Sequence, residues 1–493
     1  MTRSRKNRGS LAVGLGILLA AMSNTSRVFS TETDDEFTIE LPMDDPQSAG
    51  AEDGGGIDEV QLPGSFAAES ARGLFRDFTF KLSHQFYAQV NPHTVFPNNA
   101  QPVRKPEDIE NNRFSLLIRY QNPFARGWVI QGNAQAKAYL PGDYEHGTRN
   151  KTLHMEYRLG DTEYRINELF VQRSFASHSF KLGRQTVVWG ETLGNSVLDI
   201  INTSDFRDSS IIEIEDARLN QWMLSWDYYW NDKRLSTFFN FYPEFNPPAR
   251  RGSPFHVPGT PALPDPERDE PLFEVGSQLQ WTVEGSDFAL MAAYLYENQL
   301  RYELSRTSPG KILAKKNDYW LLGASANRAF GRLMLRLDLA YSHGVLADTL
   351  LAPQAPFFVS LPSSLPKNQL GTSFGFEYAI DNDQRISVSI LARYFLNKQS
   401  GLSPGERLAT DDIFGTWLIR YSYSLMNGDL LLWSTMNGTL NGDRALISGA
   451  ATYTLDDHWS VMAQAIGTWS SPSSATALLD RDIRLGFNVS YSF

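Results

Sequence analysis

The last twelve residues, Asp482 to Phe493, set Ile483, Leu485, Phe487, Val489, Tyr491 and Phe493 against Arg484, Gly486, Asn488, Ser490 and Ser492 in strict alternation. A strand points successive side chains to opposite faces, so this run carries one wholly apolar face to its final residue. In water such an edge would pair with other chains. In a bilayer, where no solvent satisfies backbone groups, it must be paired on both sides within a closed barrel.

The rest of the chain repeats the pattern. Phe78 to Val90 alternates Phe78, Phe80, Leu82, Phe86, Ala88 and Val90 with Thr79, Lys81, Ser83, Gln85 and Gln89, and His84 interrupts the apolar face. Similar runs are expected near 113–121, 128–140, 163–174, 179–190, 219–229, 234–242, 274–284 and 288–298. More follow near 318–328, 333–343, 368–379, 385–395, 416–425, 430–438, 444–455, 459–469 and 482–493. The connections alternate in length. Short links such as Ala176–Ser177, Asn231–Lys233 and Asp456–His458 read as tight turns, while Glu191–Arg218, Pro243–Phe273 and Leu346–Lys367 are long and Pro-rich or polar. This is the plan of an all-β, antiparallel up-and-down transmembrane β-barrel with short periplasmic turns and long external loops. The count is about 18 strands, or 16 if the poorly alternating fourth, fifth and fifteenth runs are misread. A soluble β-sandwich would not impose this length alternation, nor strands long enough for a tilted membrane crossing.

The N-terminus agrees with export. Arg3, Arg5, Lys6 and Arg8 precede an apolar stretch from Leu11 to Met22 that is too short to span a bilayer, which is the order of a signal peptide over residues 1–30, cut after Ser23 or Ser30. Residues 31–60 hold eleven acidic and no basic side chains, so 31–70 reads as an acidic, disordered periplasmic lead-in, with the barrel over 71–493. The formal net charge of −11 disfavours nucleic-acid binding. Cys is absent, which removes disulfides and thiolate chemistry, and no cofactor or metal site is legible.

A barrel this wide is not filled by its own side chains and encloses water. The polar faces place Lys81, Arg119, Lys137, Arg336, Arg393, Arg420 and Arg484 in the lumen, with fewer acids in Asp227, Asp338 and Glu377. A charge on the lipid face at mid-membrane would cost about 2–4 kcal/mol. A basic excess favours anions, and opposed basic and acidic groups orient polar solutes. Leu117, Met291, Leu295, Leu321, Leu391 and Leu418 also fall on inward positions, so the lumen is not uniformly polar.

One stretch departs from the pattern. From Lys181 through Trp189, Gly190 and Glu191 to Asp199, Asn202, Asp205, Arg207 and Asp208, alternation would put Arg184 on the face of Phe180 and Leu182. An unpaired charge cannot stay there, so a bulge near Gly183 turning it inward, or a displaced strand, is expected. The segment after it is the third external loop by count, and its charged residues suit a constriction.

Gly183-Arg184-Gln185, Trp189-Gly190-Glu191 and Asp199-Ile-Ile-Asn202 with Asp205 resemble the signature of an uncharacterised bacterial outer-membrane barrel family, domain of unknown function 1302. In that family a Pro often follows the Asn, where this chain has Thr203 and Ser204. The resemblance implies a porin-like protein of a Gram-negative outer membrane and supplies no substrate. The aromatic end, Tyr491 and Phe493, likewise resembles the C-terminal signal that barrel-assembly machinery reads.

The sequence therefore predicts a channel for passive or selective diffusion of small polar, anion-biased solutes, surrounded by outer-membrane lipid. It leaves open whether the pore is a monomer or a homo-oligomer such as a trimer. The alternatives are a channel for hydrophobic or lipid-like solutes, or a component of an export system. No catalytic constellation is evident, since His84 beside Ser83 lacks an orienting third group, and an enzyme is not expected.

Overall fold

Eighteen antiparallel strands close into one barrel in the computed structural model, which describes residues 77–90, 109–125, 127–143, 145–146, 156–205, 218–247, 270–304, 312–351, 364–471 and 480–493. The expected signal peptide at 1–30 and acidic lead-in at 31–70 lie outside the described residues, as do Arg207 and Asp208. The first six strands are β1 Phe78–Gln89, β2 Ile109–Ala125, β3 Trp128–Tyr139, β4 Thr162–Phe175, β5 His178–Gln185 and β6 Gln221–Trp230. The next six are β7 Lys233–Tyr242, β8 Glu274–Val283, β9 Ser286–Tyr296, β10 Asp318–Phe330, β11 Leu333–Leu351 and β12 Ser364–Ala379. The circle ends with β13 Gln384–Leu396, β14 Ile413–Leu425, β15 Leu430–Thr439, β16 Arg444–Thr454, β17 Trp459–Ser470 and β18 Ile483–Ser492. Each strand pairs with its neighbours in sequence, and β1 also pairs with β18, which resolves the count at eighteen rather than sixteen.

The seam uses the last residue of the chain. Phe493 N–H donates to the Phe80 carbonyl and Phe80 N–H to the Phe493 carbonyl, both at 2.9 Å, and the two rings stack at 5.1 Å. At the periplasmic end, residues in left-handed conformation, Ala176, Asn231, Glu284 with Gly285, and Asn427 with Gly428, let the chain reverse in two or three residues. At the other end no such economy is needed. There β11 and β12 continue beyond the barrel as a hairpin past a bulge at His343–Val345.

The outer surface is the apolar face of every run. Leu82, Leu224, Leu290, Leu322, Leu339, Leu370, Ile390, Ile447 and Leu485 are all exposed, a continuous belt that would aggregate in water and that lipid satisfies. Aromatic side chains band both rims, with Trp128, Phe175, Tyr228 and Tyr491 at one end and Phe273, Tyr294 and Trp320 at the other. The barrel resides in the bacterial outer membrane. Among the described residues no helix is long and apolar enough to cross a membrane.

His84 sits on this outer face and not with Ser83. Its Nε2 lies 3.0 Å from Asn112 Oδ1 and its ring packs on Phe114 at 4.6 Å, while Ser83 points inward to Ser115. One correction concerns β5. The run expected to continue to Gly190 leaves the sheet after Gln185, because Val187 and Trp189 pack against a different surface, the inner wall.

Candidate functional site

The chain leaves β5 by turning inward. Gly183 has φ +140, and a Cβ there would lie 2.2 Å from the Leu169 carbonyl oxygen, so only glycine lets β5 bend this way. The bend brings Arg184 inside as expected, where it is 2% exposed. Its Nη1 and Nη2 donate to Glu244 Oε1 and Oε2 at 2.7 and 3.1 Å, and its Nε to the Ile166 carbonyl at 3.2 Å. Glu244, sixty residues away beyond β7, gave no sequence signal as this partner. Gln185 is anchored beside it, donating to Met223 O and accepting from Ser225 Oγ.

Residues 186–202 then run inside the barrel. Asn202 closes the neck of this segment, accepting from Val187 N–H at 3.1 Å and donating to the Val187 carbonyl at 2.8 Å. Asn298 holds it from the wall through the carbonyls of Ile200 and Asn202. The far end is clamped by Asp338 of β11, which is fully buried. Its carboxylate accepts the N–H of Glu191 at 2.9 Å, the N–H of Thr192 at 3.0 Å and the Ser196 hydroxyl at 2.7 Å. Gly190, at φ +95, allows the turn into this clamp. Val197 N–H donates to Ser373 Oγ of β12, and Asn195 exchanges two hydrogen bonds with Thr416 of β14.

Between these anchors the segment is glued by apolar packing. Trp189, Val197, Leu198 and Ile201 form one buried cluster with Met223, Phe238, Ala289, Met291, Ala293, Leu295, Tyr319, Leu321, Ala340 and Leu391. Glycines on the inner wall make room. A Cβ at Gly276 would meet Trp189 Cη2 at 2.6 Å, one at Gly323 would meet Leu198 Cδ2 at 2.6 Å, and one at Gly371 would meet Val197 Cγ2 at 2.3 Å. Trp189 stands edge-on to Phe238 at 5.5 Å. Four of the six inward apolar residues legible in sequence, Met291, Leu295, Leu321 and Leu391, are therefore the floor on which the segment lies. Leu117 and Leu418 are buried elsewhere on the wall.

The contacts run from β5 to β14, so half of the inner wall is covered. The sequence-predicted residues divide accordingly. Asp338 is consumed by the clamp instead of lining open water, and Glu191 accepts from Asn327 at 2.7 Å. Arg336 pairs with Glu377 at 3.0 Å, and Arg385 approaches the same carboxylate at 3.6 Å. Arg393 is buried above the segment. Asp199 pairs with Arg218 and Asp205 with Arg165, each at 3.3 Å. Asp227 pairs with Arg234 at 3.1 Å.

Across the lumen, β15–β18 and β1–β4 present polar side chains. Ladder register puts Lys81 opposite Leu117 and Ser492, Arg119 opposite Thr79 and Asn133, and Lys137 opposite Ser115 and Glu163. Arg420 stands at the boundary on β14, opposite Ser387 and Thr435. Arg484 does not face open water. It is 2% exposed, bonded to Asp482 at 2.6 Å and paired with Glu110 at 2.9 Å. Sequence reasoning missed the neighbouring Arg113–Asp143 and Arg158–Glu145 pairs, whose acids lie in a connection that alternation does not describe. Among the described residues no group of three His, Asp or Glu side chains is placed to hold a metal ion.

Solved structures align along most of the chain. OccAB2 of Acinetobacter baumannii aligns over 84% of this chain and 97% of its own with a TM-score of 0.48 and 10% identity. OccAB1 of the same organism aligns over 84% and 96%, with 0.48 and 8%. OccK9 (OpdG) of Pseudomonas aeruginosa aligns over 84% and 97%, with 0.47 and 11%. Likeness at this level transfers no residue role. No curated protein matches the sequence. Residues 128–390, more than half the chain and including the whole inward segment, match the family described as a protein of unknown function (DUF1302), and the chain belongs to that family as a porin-like outer-membrane barrel.

Proposed function

We propose that the barrel is a channel for small polar solutes, biased toward anions, which pass between the inward segment and the half of the wall it leaves uncovered. The observation that carries this reading is the three-bond clamp of Asp338 on residues 191–196, a hold that suits a constriction inside an otherwise wide lumen. Of the acids that alternation places in the lumen, Asp338 is engaged by the segment, Glu377 by Arg336 and Arg385, and Asp227 by Arg234. Lys81, Arg119, Lys137 and Arg420 then set the sign of the passage, and a solute's counter-charge is favoured near them. Asp199, Asn202 and Asp205 act by shaping the segment.

The inward apolar residues that would suit a hydrophobic-solute channel support this reading instead, since the segment covers most of them. Planar-bilayer recording tests the proposal. In a KCl gradient the protein conducts with chloride preferred, and joint replacement of Lys81, Arg119 and Arg420 by Gln moves the reversal potential toward that of an unselective pore. Absence of conductance would remove the channel. An unchanged potential would remove the anion bias alone.

A further inference from the structure

Residues 440–443 join β15 to β16 and are the shortest of the external connections. Gly442, at φ +74, makes the reversal, and the Arg444 N–H donates to Thr439 Oγ1 at 3.2 Å, which holds the first residue of β16 at the mouth of the barrel. Ile447 is exposed on the outer face, so alternation points Arg444 and Leu446 inward, with Ser470 across the ladder from Arg444. Leu446 packs with Tyr87 and Ile466 in a small buried cluster. On its periplasmic side the guanidinium therefore meets apolar surface.

Arg113, Arg158, Arg184, Arg336 and Arg484 each face a carboxylate. Arg444 does not. It is 7% exposed, its side chain makes no hydrogen bond, and no Asp or Glu among the described residues is within ion-pairing distance of it. The sequence supplies the reason, since strands β14–β18 contain no Asp or Glu at all. Acids of the adjoining connections are turned to other donors: Asp411 and Asp443 to the Asn441 amide, Asp443 also to the Ser471 hydroxyl, Asp480 to the Ser470 N–H and Asp482 to Arg484.

The atoms of this guanidinium differ in access. Nε is buried without a partner, and no ligand reaches it. Nη1 and Nη2 also donate to nothing, yet neither is sealed, so the end of the group remote from Nε is open. That edge offers one N–H from each Nη side by side, a spacing that two oxygens of one carboxylate or phosphate match and a single halide does not. A recessed charge without a counter-ion is costly, and an anion that supplies one offsets part of that cost. We propose that Arg444 is a binding residue for a small oxyanion at the external mouth, holding it end-on through Nη1 and Nη2. The inference rests on the channel reading and deepens it, because it names the class of anion and the side chain that receives it.

Isothermal titration of the detergent-solubilised full chain in low-salt buffer, with inorganic phosphate and separately with chloride, tests it. Saturable phosphate binding is expected, with chloride weaker by about tenfold or more because it cannot occupy both N–H groups. Arg444→Gln should weaken phosphate by about tenfold or more, and Arg444→Lys, which keeps the charge and loses the fork, by a few-fold. Arg336→Gln removes an arginine that already faces Glu377 and should leave phosphate affinity nearly unchanged. If Arg444→Gln loses the heat-dependent gel migration of a closed barrel, Arg444→Lys decides. No phosphate binding, chloride bound as tightly, unchanged affinity in the folded Arg444 variants, or an equal loss in Arg336→Gln overturns the proposal. Bilayer recording on the same sample separates the two readings. Chloride-selective conductance without phosphate binding removes the site and spares the channel, and phosphate binding without conductance does the reverse.

Discussion

The two halves of the inner wall obey one alternation rule and use it differently. On β15–β18 and β1–β4 the inward positions are mainly polar, because they meet water and one another. On β6–β13 many inward positions are apolar or glycine, because they meet Trp189, Val197, Leu198 and Ile201. An apolar residue inside a barrel is thus no evidence for an apolar solute until what covers it is known. The covered half behaves as a small protein core, in which hydrophobic burial, glycine clearance and one satisfied carboxylate hold a segment that has no ladder of its own.

The comparison can be broken most severely at the neck. Arg184→Ala leaves Glu244 buried without its partner and should cost about 3–5 kcal/mol, read as a lower temperature for the heat-induced gel shift. Arg184→Met with Glu244→Leu should recover most of that loss, since a buried pair replaced by apolar groups of similar size is often close to neutral. A somewhat smaller effect is expected at the clamp. Asp338→Ala strands two N–H groups and the Ser196 hydroxyl, on the order of 3 kcal/mol or more, and should free the segment's tip while the barrel stays closed. Single-channel conductance should rise and become noisy with little change in the gel-shift temperature. A variant as quiet as the parent would show that packing alone holds the segment.

Smaller effects sharpen the contrast between cations. Arg420→Gln should reduce chloride preference measurably in a KCl gradient. Removing Arg336 and Glu377 together, as R336Q with E377Q, leaves net charge unchanged and should move the reversal potential least. Equal shifts in the two experiments would mean that lumen charges act through their sum and not their placement.

The eighteen strands were legible because each had to show lipid one apolar face, and because residues such as Asn231 and Asn427 mark tight reversals. Gly183 and Arg184 announced the inward turn, since a charge in a lipid-facing register demands an escape. The end of β5 was not legible: Val187-Val188-Trp189 continues an apolar run whether it faces lipid or a lumen wall. Nor was the role of Asp338, whose partners lie more than 140 residues earlier in the chain. A usable signal was present in Gly276, Gly323 and Gly371, which sit on inward positions of nearby strands beside Met291, Leu321 and Ala340. A water-filled lumen gives no reason for that pattern, and a docked segment does.

The absence of cysteine makes the most direct test clean. A Cβ at Gly371 would lie 3.5 Å from the Val197 Cβ, within the range a disulfide requires, and Val197→Cys removes the methyl that a residue at 371 would otherwise strike. The double variant V197C with G371C should form an intramolecular disulfide in outer membranes and conduct as the parent does, oxidised or reduced. Two thiols that both react freely with a membrane-impermeant maleimide, with no cross-link under oxidising conditions, would contradict a segment seated on the wall.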